Sequence, residues 1–341
     1  ADAVVTAIPD PVIVLDGRRR ILRANTAAAA LIGPAGPARD LASALRNPAV
    51  LTAAEAVLSG ADAKTVDFAV SIPYDRQLRA RLARIAAPAP DGAAALLILH
   101  DITELKRAEQ MRADFIANAS HELRTPLAAL SGFIETLLGP ARDDAEARER
   151  FLAIMSAEAA RMGRLVEDLL SLSRIELNEH VPPQDRVALS DVLRQSADAL
   201  ELRAGERGMR IVLAVAADLP DVPGDRDELL QLFQNLLDNA IKYGRERSEI
   251  TIVAEESEDF VVVSVRDRGD GIAREHLPRL TERFYRVDKA RSREMGGTGL
   301  GLAIVKHIVV RHRGSLEIAS TPGEGSVFTT RLPRYAGNRP S

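Results

Sequence analysis

Between residues 105 and 178 the chain carries two apolar stripes at helical spacing, and they limit its possible folds more than any other feature. Glycine and proline become rare there and helix formers dominate. In the second half, Phe151, Met155, Met162, Leu165, Leu169 and Leu172 fall on alternating steps of four and three, with Glu158 as the one polar interruption and Ala159 beside it. That is a heptad seam. Leu127, Leu130, Ile134 and Leu137 repeat the spacing in the first half; Gly139-Pro140 ends that arm and Asp144 opens the next. The pattern predicts an antiparallel helical hairpin. Two arms cannot bury such stripes completely but four can, so a homodimeric four-helix bundle is expected.

The flanking segments read as mixed α/β structure, so the fold class is multidomain α+β. Residues 1–104 hold strand candidates at 12–15, 20–24, 65–71, 78–85 and 93–100, and a short alanine-rich helix at 26–32. The chain already reads as folded from residue 4, and the Pro/Gly clusters at 33–37 and 88–92 read as turns. Residues 182–335 hold strand candidates at 187–189, 210–214, 250–255, 260–267, 315–319 and 327–332, with helices at 191–204, 226–243 and 300–312. Residues 335–341 read as a frayed tail.

Composition removes several function classes. Acidic residues (49) nearly balance basic ones (45), which argues against a nucleic-acid binder. With no cysteine, disulfides, zinc–thiolate sites and thiol catalysis are excluded. No apolar run approaches the ~18 residues of a membrane helix. The sequence starts at Ala1 without a methionine, so the expectation is the soluble part of a longer protein.

Four constellations carry chemistry. The first surrounds His121-Glu122-Leu-Arg124-Thr125-Pro126. A zinc-protease reading needs a second histidine at 125, where threonine stands. His121 lies beside the seam of Ile116, Ala119, Leu123 and Leu127, and Pro126 one turn later is expected to bend the helix. Neutral imidazole is a nucleophile near pH 7. Glu122 can orient it or accept its proton, and Thr125 can hold a water. Alone, a solvated surface histidine has the same signature.

The second lies in the 226–243 helix, where Leu230, Phe233, Leu236, Leu237, Ala240 and Ile241 form one apolar arc and Asn235, Asn239 and Lys242 stack on another face. Asparagine is a poor helix former, and an amide oxygen suits Mg²⁺ when phosphates and water complete the shell. A polar face that happens to hold asparagines is the plain alternative. The third is Asp267-Arg-Gly269-Asp270-Gly271 after a valine-rich strand, where Asp267 can accept from an amino group such as that of adenine; alone it is a common turn. The fourth is Gly296-Gly-Thr298-Gly299-Leu300-Gly301, leading into a helix. It is neither a Walker A loop nor a dinucleotide fingerprint, and reads equally as a phosphate nest or a flexible loop. Residues 282–294, just before it, read as a mobile flap.

Together and in this order the four resemble the H, N, G1 and G2 boxes of the PAS-containing sensor histidine kinases of two-component systems. Phe284-Tyr285-Arg286 matches the F box, whereas Thr281 stands where an aromatic often precedes Glu-Arg-Phe. The first unit is similar to a PAS domain in Asn25 and the closing Asp101-Ile102-Thr103. The wording at 132–137 and 222–225 is similar to the phosphate-regulon sensors.

The resemblance implies a PAS-like sensor domain (1–104), a dimerisation and phosphotransfer hairpin (105–178), a catalytic ATP-binding α/β sandwich of Bergerat type (182–335) and a tail (336–341). ATP and Mg²⁺ would be the cofactors. His121 would take the γ-phosphoryl group and pass it to an aspartate of a response regulator. Glu122 and Thr125 match a pattern linked to dephosphorylating that regulator, so the chain would also be its phosphatase. Asn235 and Asn239 would hold Mg²⁺ and Asp267 adenine. Lys242 and Tyr243 would contact phosphate or ribose. Gly269 and Gly271 would shape the adenine turn, and Thr298, Gly299, Leu300 and Gly301 the phosphate cradle. A membrane anchor outside this sequence would make the chain the cytoplasmic portion of an inner-membrane protein, in phosphate-starvation signalling. Two other classes compete: an ATP-driven machine of the same nucleotide fold, which needs neither His121 nor a hairpin, and a scaffold without turnover, which would fail to bind ATP.

Overall fold

A computed structural model describes residues 8–33, 39–70, 75–85, 91–288 and 295–335. The readings at residues 4–7, at Ser71, in the clusters at 34–37 and 88–90, at the 289–294 end of the flap and in the tail at 336–341 lie outside the described residues. The chain divides into two compact units, 1–117 and 118–341.

The first unit is a five-stranded antiparallel sheet covered by helices. Its elements are β1 (Val12–Asp16), β2 (Ile21–Ala24), α1 (Thr26–Ile32), α2 (Leu41–Ala44), α3 (Pro48–Leu58), β3 (Lys64–Val70), β4 (Arg76–Arg84) and β5 (Ala93–Asp101), with sheet order β2-β1-β5-β4-β3. Period-2 alternation sends Leu78, Ala80 and Leu82 of β4 and Ala95, Leu97 and Leu99 of β5 into one core with Val50, Ala54 and Val57 of α3. Asn25 organises the entry. Its Oδ1 accepts from Val12 N (3.0 Å) and caps α1 at Ala28 N (2.9 Å), while its Nδ2 donates to the Ile8 and Asp10 carbonyls. At the exit, Thr103 Oγ1 accepts from Gln77 N (2.9 Å), and Asp101 accepts from Thr103 N (2.9 Å). A hydrogen bond from the Thr103 hydroxyl, and then the one from its N–H, hold the Asp101 carboxyl below its ordinary range. Helix α3 went unread in the sequence, although Asn47 caps it and Pro48 sits at its first position.

Helix α4 (Thr103–Leu138) starts in the first unit and runs on into the second, where α5 (Ala145–Leu177) returns antiparallel to it. Helix α4 continues through Pro126 without a break. Phe133 and Phe151 stack across the hairpin, ring centroids 5.3 Å apart. Leu165, Leu172 and Ile175 are buried, whereas Leu127, Ile134, Val166 and Leu170 remain exposed in the single chain. Glu158, the gap in the seam, accepts from Arg161 (3.5 Å).

The rest of the second unit is a mixed sheet with helices on one face. It comprises β6 (Arg186–Val187), α6 (Leu189–Glu206), β7 (Arg210–Val215), β8 (Val222–Pro223), α7 (Arg226–Tyr243), β9 (Glu249–Ser257), β10 (Phe260–Arg266), a 3₁₀ turn (Leu277–Arg279), α8 (Gly301–Arg311), β11 (Ser315–Thr321) and β12 (Gly325–Pro333). The order is β11-β12-β10-β9-β7, with β7 parallel to β9 and the other pairs antiparallel; β6 and β8 form a separate ribbon. Leu232, Phe233, Leu236 and Leu237 of α7 are fully buried, together with Ile304 and Ile308 of α8 and Ile252 and Val263 of the sheet.

Candidate active site

The polar face of α7 forms one wall of a cavity of about 420 Å³. Two interactions fix the helix start. Asp225 Oδ1 accepts from Asp227 N and Glu228 N, and Asp225 N donates to Nε2 of buried His312 (3.0 Å). The ring's other nitrogen faces the Ile308 carbonyl at 2.8 Å, and burial lowers the His312 pKa, which favours the neutral ring this pairing needs. With Phe233, Leu236, Leu237, Ala240 and Ile241 of the expected arc in the core, joined by Leu229 and Leu232 while Leu230 stays half-buried, α7 turns Asn235, Asn239, Lys242 and Tyr243 to the cavity. Lys242 Nζ pairs with Asp238 Oδ2 one turn back (2.6 Å).

The turn after β10 forms the floor. Asp267 is buried, and its Oδ1 accepts from Gly269 N (2.8 Å). Burial raises its carboxyl above the ordinary range, against the pull of the Gly269 and Ser326 backbone. Gly269 is bridged to Gly244, so the turn is tied to the end of α7. A Cβ on Gly269 would lie 2.3 Å from the Tyr243 carbonyl oxygen, and one on Gly271 would lie 2.0 Å from that of Thr321. Neither place admits a side chain.

The glycine loop closes the cavity from the start of α8. Gly299 O accepts from Phe284 N (2.8 Å), and Thr298 O accepts from Arg286 Nη2 (2.7 Å), which ties the described part of the flap to the loop. A Cβ on Gly301 would sit 3.2 Å from Asn235 Oδ1. Two donors in this region, Asn235 Nδ2 and Arg286 Nε, are buried without a hydrogen-bond partner among the described residues. Unsatisfied buried donors are costly, and phosphate oxygens would satisfy both. With its amide turned over, Asn235 would instead offer an oxygen to a cation. The residues therefore fit a magnesium–polyphosphate group.

Not every residue singled out from the sequence lines the cavity. Leu300 is fully buried in the core and contributes its backbone N–H, which donates to Thr298 Oγ1 (3.3 Å). Gly269 shapes the turn without lining the space. His121, Glu122 and Thr125 lie outside the cavity walls. His121 is exposed, and Thr125 Oγ1 donates back to the His121 carbonyl (3.2 Å). Glu122 accepts from Arg161 Nη2 (3.2 Å) and from Arg286 Nη2 (3.1 Å). Arg286 thus reaches from the cavity to the carboxylate next to His121.

Helix α5 adds residues that the sequence reading did not single out. Arg164, Glu167 and Asp168 line the cavity. Asp168 Oδ2 accepts from Thr298 Oγ1 (2.6 Å), and its carboxyl is raised chiefly by burial. Within the heptad pattern these charges look like an ordinary solvated face.

Comparisons with known proteins place this site in a family. Residues 5–107 match the PAS fold, 111–178 the His Kinase A (phospho-acceptor) domain, and 224–336 the Histidine kinase-, DNA gyrase B-, and HSP90-like ATPase. The sensor protein kinase WalK of Staphylococcus aureus is 32% identical over 340 residues, 97% of this chain and 80% of that protein. The chain belongs to the sensor histidine kinases. The phosphate regulon sensor protein PhoR of Pseudomonas aeruginosa is 46% identical over 235 residues, which cover 69% of this chain and 53% of PhoR. The chain thus spans about half the length of that relative. The fold also matches the histidine kinase ThkA, solved in complex with the response regulator protein TrrA, at a TM-score of 0.52 and 21% identity over 98% of both chains. No helix among the described residues is long and apolar enough to cross a membrane.

Proposed function

We propose that this sensor histidine kinase phosphorylates its own His121 from Mg-ATP and passes the phosphoryl group to an aspartate of a response regulator. The observation that carries the reading is the path from the glycine loop to the acceptor: Arg286 donates both to Thr298 O and to Glu122, the neighbour of His121. In this reading Asp267 accepts the adenine amino group, and Lys242, Tyr243 and the backbone of residues 298–301 bind phosphate and ribose. Asn235 and Asn239 hold Mg²⁺, which when bound neutralises charge on the phosphate oxygens. The unprotonated nitrogen of His121 attacks the γ-phosphorus as the bond to the β–γ bridging oxygen breaks and ADP leaves. The proton on the other ring nitrogen passes to Glu122.

The exposed stripe of α4 and α5 supports a homodimer in which four helices bury what two leave open. A response regulator is the partner, as the solved complex of ThkA suggests. The likeness to PhoR supports phosphate signalling, and Thr125, once released from the His121 carbonyl, would orient water for dephosphorylating the regulator. Anchoring at the inner membrane through a segment outside this sequence belongs to the same reading, and fractionation of cells carrying the whole gene tests it. The deciding experiment incubates the chain and a His121→Ala variant with γ-labelled ATP and Mg²⁺. Label on the unmodified chain alone, lost in acid and stable in base, supports the reading. Equal label on both proteins, or none on either, removes it.

A further inference from the structure

Arg164 stands on α5 between two turns that already engage the site. Three residues before it, Arg161 donates to Glu122 beside the acceptor histidine, and four residues after it, Asp168 accepts from Thr298 of the glycine loop. At 1.5 Å per residue, these contacts bracket Arg164 by about 4.5 Å and 6 Å along the helix axis. Its guanidinium reaches the cavity wall: Nη2 lies 3.0 Å from where a Cβ on Gly296 would sit. Arg164 lines the cavity with Lys242 and Arg286. Those two are already paired, with Asp238 and Glu122, whereas Arg164 has no ion pair among the described residues. Acidic lining residues outnumber these three cations: Glu167, Asp168, Asp238, Asp267, Asp270 and Asp288. A polyphosphate entering such a space needs positive charge that is not already spoken for.

We propose that Arg164, a hairpin residue, binds the terminal phosphates of the nucleotide, so that the phosphotransfer hairpin supplies part of the nucleotide site. The assignment rests on the nucleotide reading of the cavity. A guanidinium forms a two-pronged, charge-assisted bond to phosphate, and its place between the turns holding Thr298 and Glu122 assigns it to the phosphate end rather than the adenine end. Its removal should then weaken nucleotides in proportion to their phosphates and leave the nucleoside alone.

The test is calorimetric titration of the full chain and of Arg164→Ala and Arg164→Lys with MgATP, MgADP and adenosine. The expected result is that Arg164→Ala weakens MgATP about tenfold. Adenosine binding should stay within about twofold, and Arg164→Lys, which keeps the charge, should recover part of the loss. Arg148→Ala, an exposed arginine at the far end of the same helix, should bind like the unmodified chain. MgATP binding unchanged in Arg164→Ala, or an equal loss for adenosine, overturns the assignment and leaves the nucleotide reading standing. No binding of MgATP or adenosine by the unmodified chain overturns both.

Discussion

Thr298 of the glycine loop donates a 2.6 Å hydrogen bond to Asp168 of helix α5, so a loop expected to cradle phosphate is held by a carboxylate of the hairpin. Burial raises the Asp168 carboxyl above its ordinary range, and Lys242 and the Thr298 bond only partly counter it. An acid whose folded pKa is raised contributes stability below its unfolded pKa, and loses it as pH rises through the folded value. At neutral pH the charged Asp168 is therefore a cost. Asp168→Asn keeps an acceptor for Thr298 and removes the charge. It is expected to stabilise the second unit by roughly 1 kcal/mol at pH 7, about 2–4 °C in the thermal midpoint. The gain should shrink as pH falls toward the ordinary aspartate range. Thermal melts without nucleotide from pH 7 down to pH 4 measure it, and an equal gain at every pH would exclude the ionisation as its cause.

Asp267 should show the same stability sign with the opposite consequence for binding. Its carboxyl is also raised by burial, so its contribution is present at low pH and lost as pH rises through the folded value. Asp267→Asn should raise the thermal midpoint at pH 7, since an amide oxygen can still accept from Gly269 N. It should also weaken ATP roughly tenfold to a hundredfold, because the amide nitrogen, a donor, then faces the adenine amino group. Thermal melts read the first effect and titrations with ATP and with GTP the second, and an unchanged preference for ATP would remove Asp267 from adenine recognition.

How much of this was legible in the sequence depended on whether a residue's partner was local. The α7 helix was read with its observed ends because its apolar arc and its polar face both lie within one segment. Asn235 and Asn239 stood out as poor helix formers on a polar face. Asp168 and Arg161 did not, since their partners, Thr298 and Glu122, are distant in sequence and a charge on a long helix looks solvated. Leu300 is the reverse case. It stands inside the glycine motif, yet its side chain fills the core and only its backbone faces the loop. Helix α3 was missed because its alanines weaken the apolar period, although Asn47-Pro48 marked its start.

Glu122 is the shared counter-ion of two arginines whose side chains are nearly buried: Arg286 is 4% exposed and Arg161 10%. Removing one carboxylate leaves both guanidinium groups short of a partner. Glu122→Ala is expected to destabilise the second unit by about 3 kcal/mol and to cut the labelling rate of His121 about a hundredfold. Arg161→Met separates the two effects. It should lower the thermal midpoint while retaining most of the labelling rate, because Glu122 stays available to take the proton. Equal losses of rate in both variants would assign the effect to packing instead of proton transfer.

Two glycines of the site should respond to alanine in different ways. Gly271 has φ +69°, and its added Cβ would meet the Thr321 backbone oxygen at 2.0 Å, a contact that only movement of the backbone relieves. Gly271→Ala should therefore cost about 3 kcal/mol or more in folding stability. At Gly301, the first residue of α8, an alanine Cβ would lie 3.2 Å from Asn235 Oδ1, a side-chain atom on the cavity wall. Alanine favours the helix by about 1 kcal/mol over glycine, which offsets a displacement of a few tenths of an ångström. Gly301→Ala should keep its thermal midpoint within about 2 °C, yet bind MgATP several-fold more weakly, because Asn235 is pushed from its place beside the loop. Melting curves and MgATP titrations on the two variants provide the comparison. A Gly301→Ala protein that binds MgATP normally would mean that the position of Asn235 does not matter to the nucleotide.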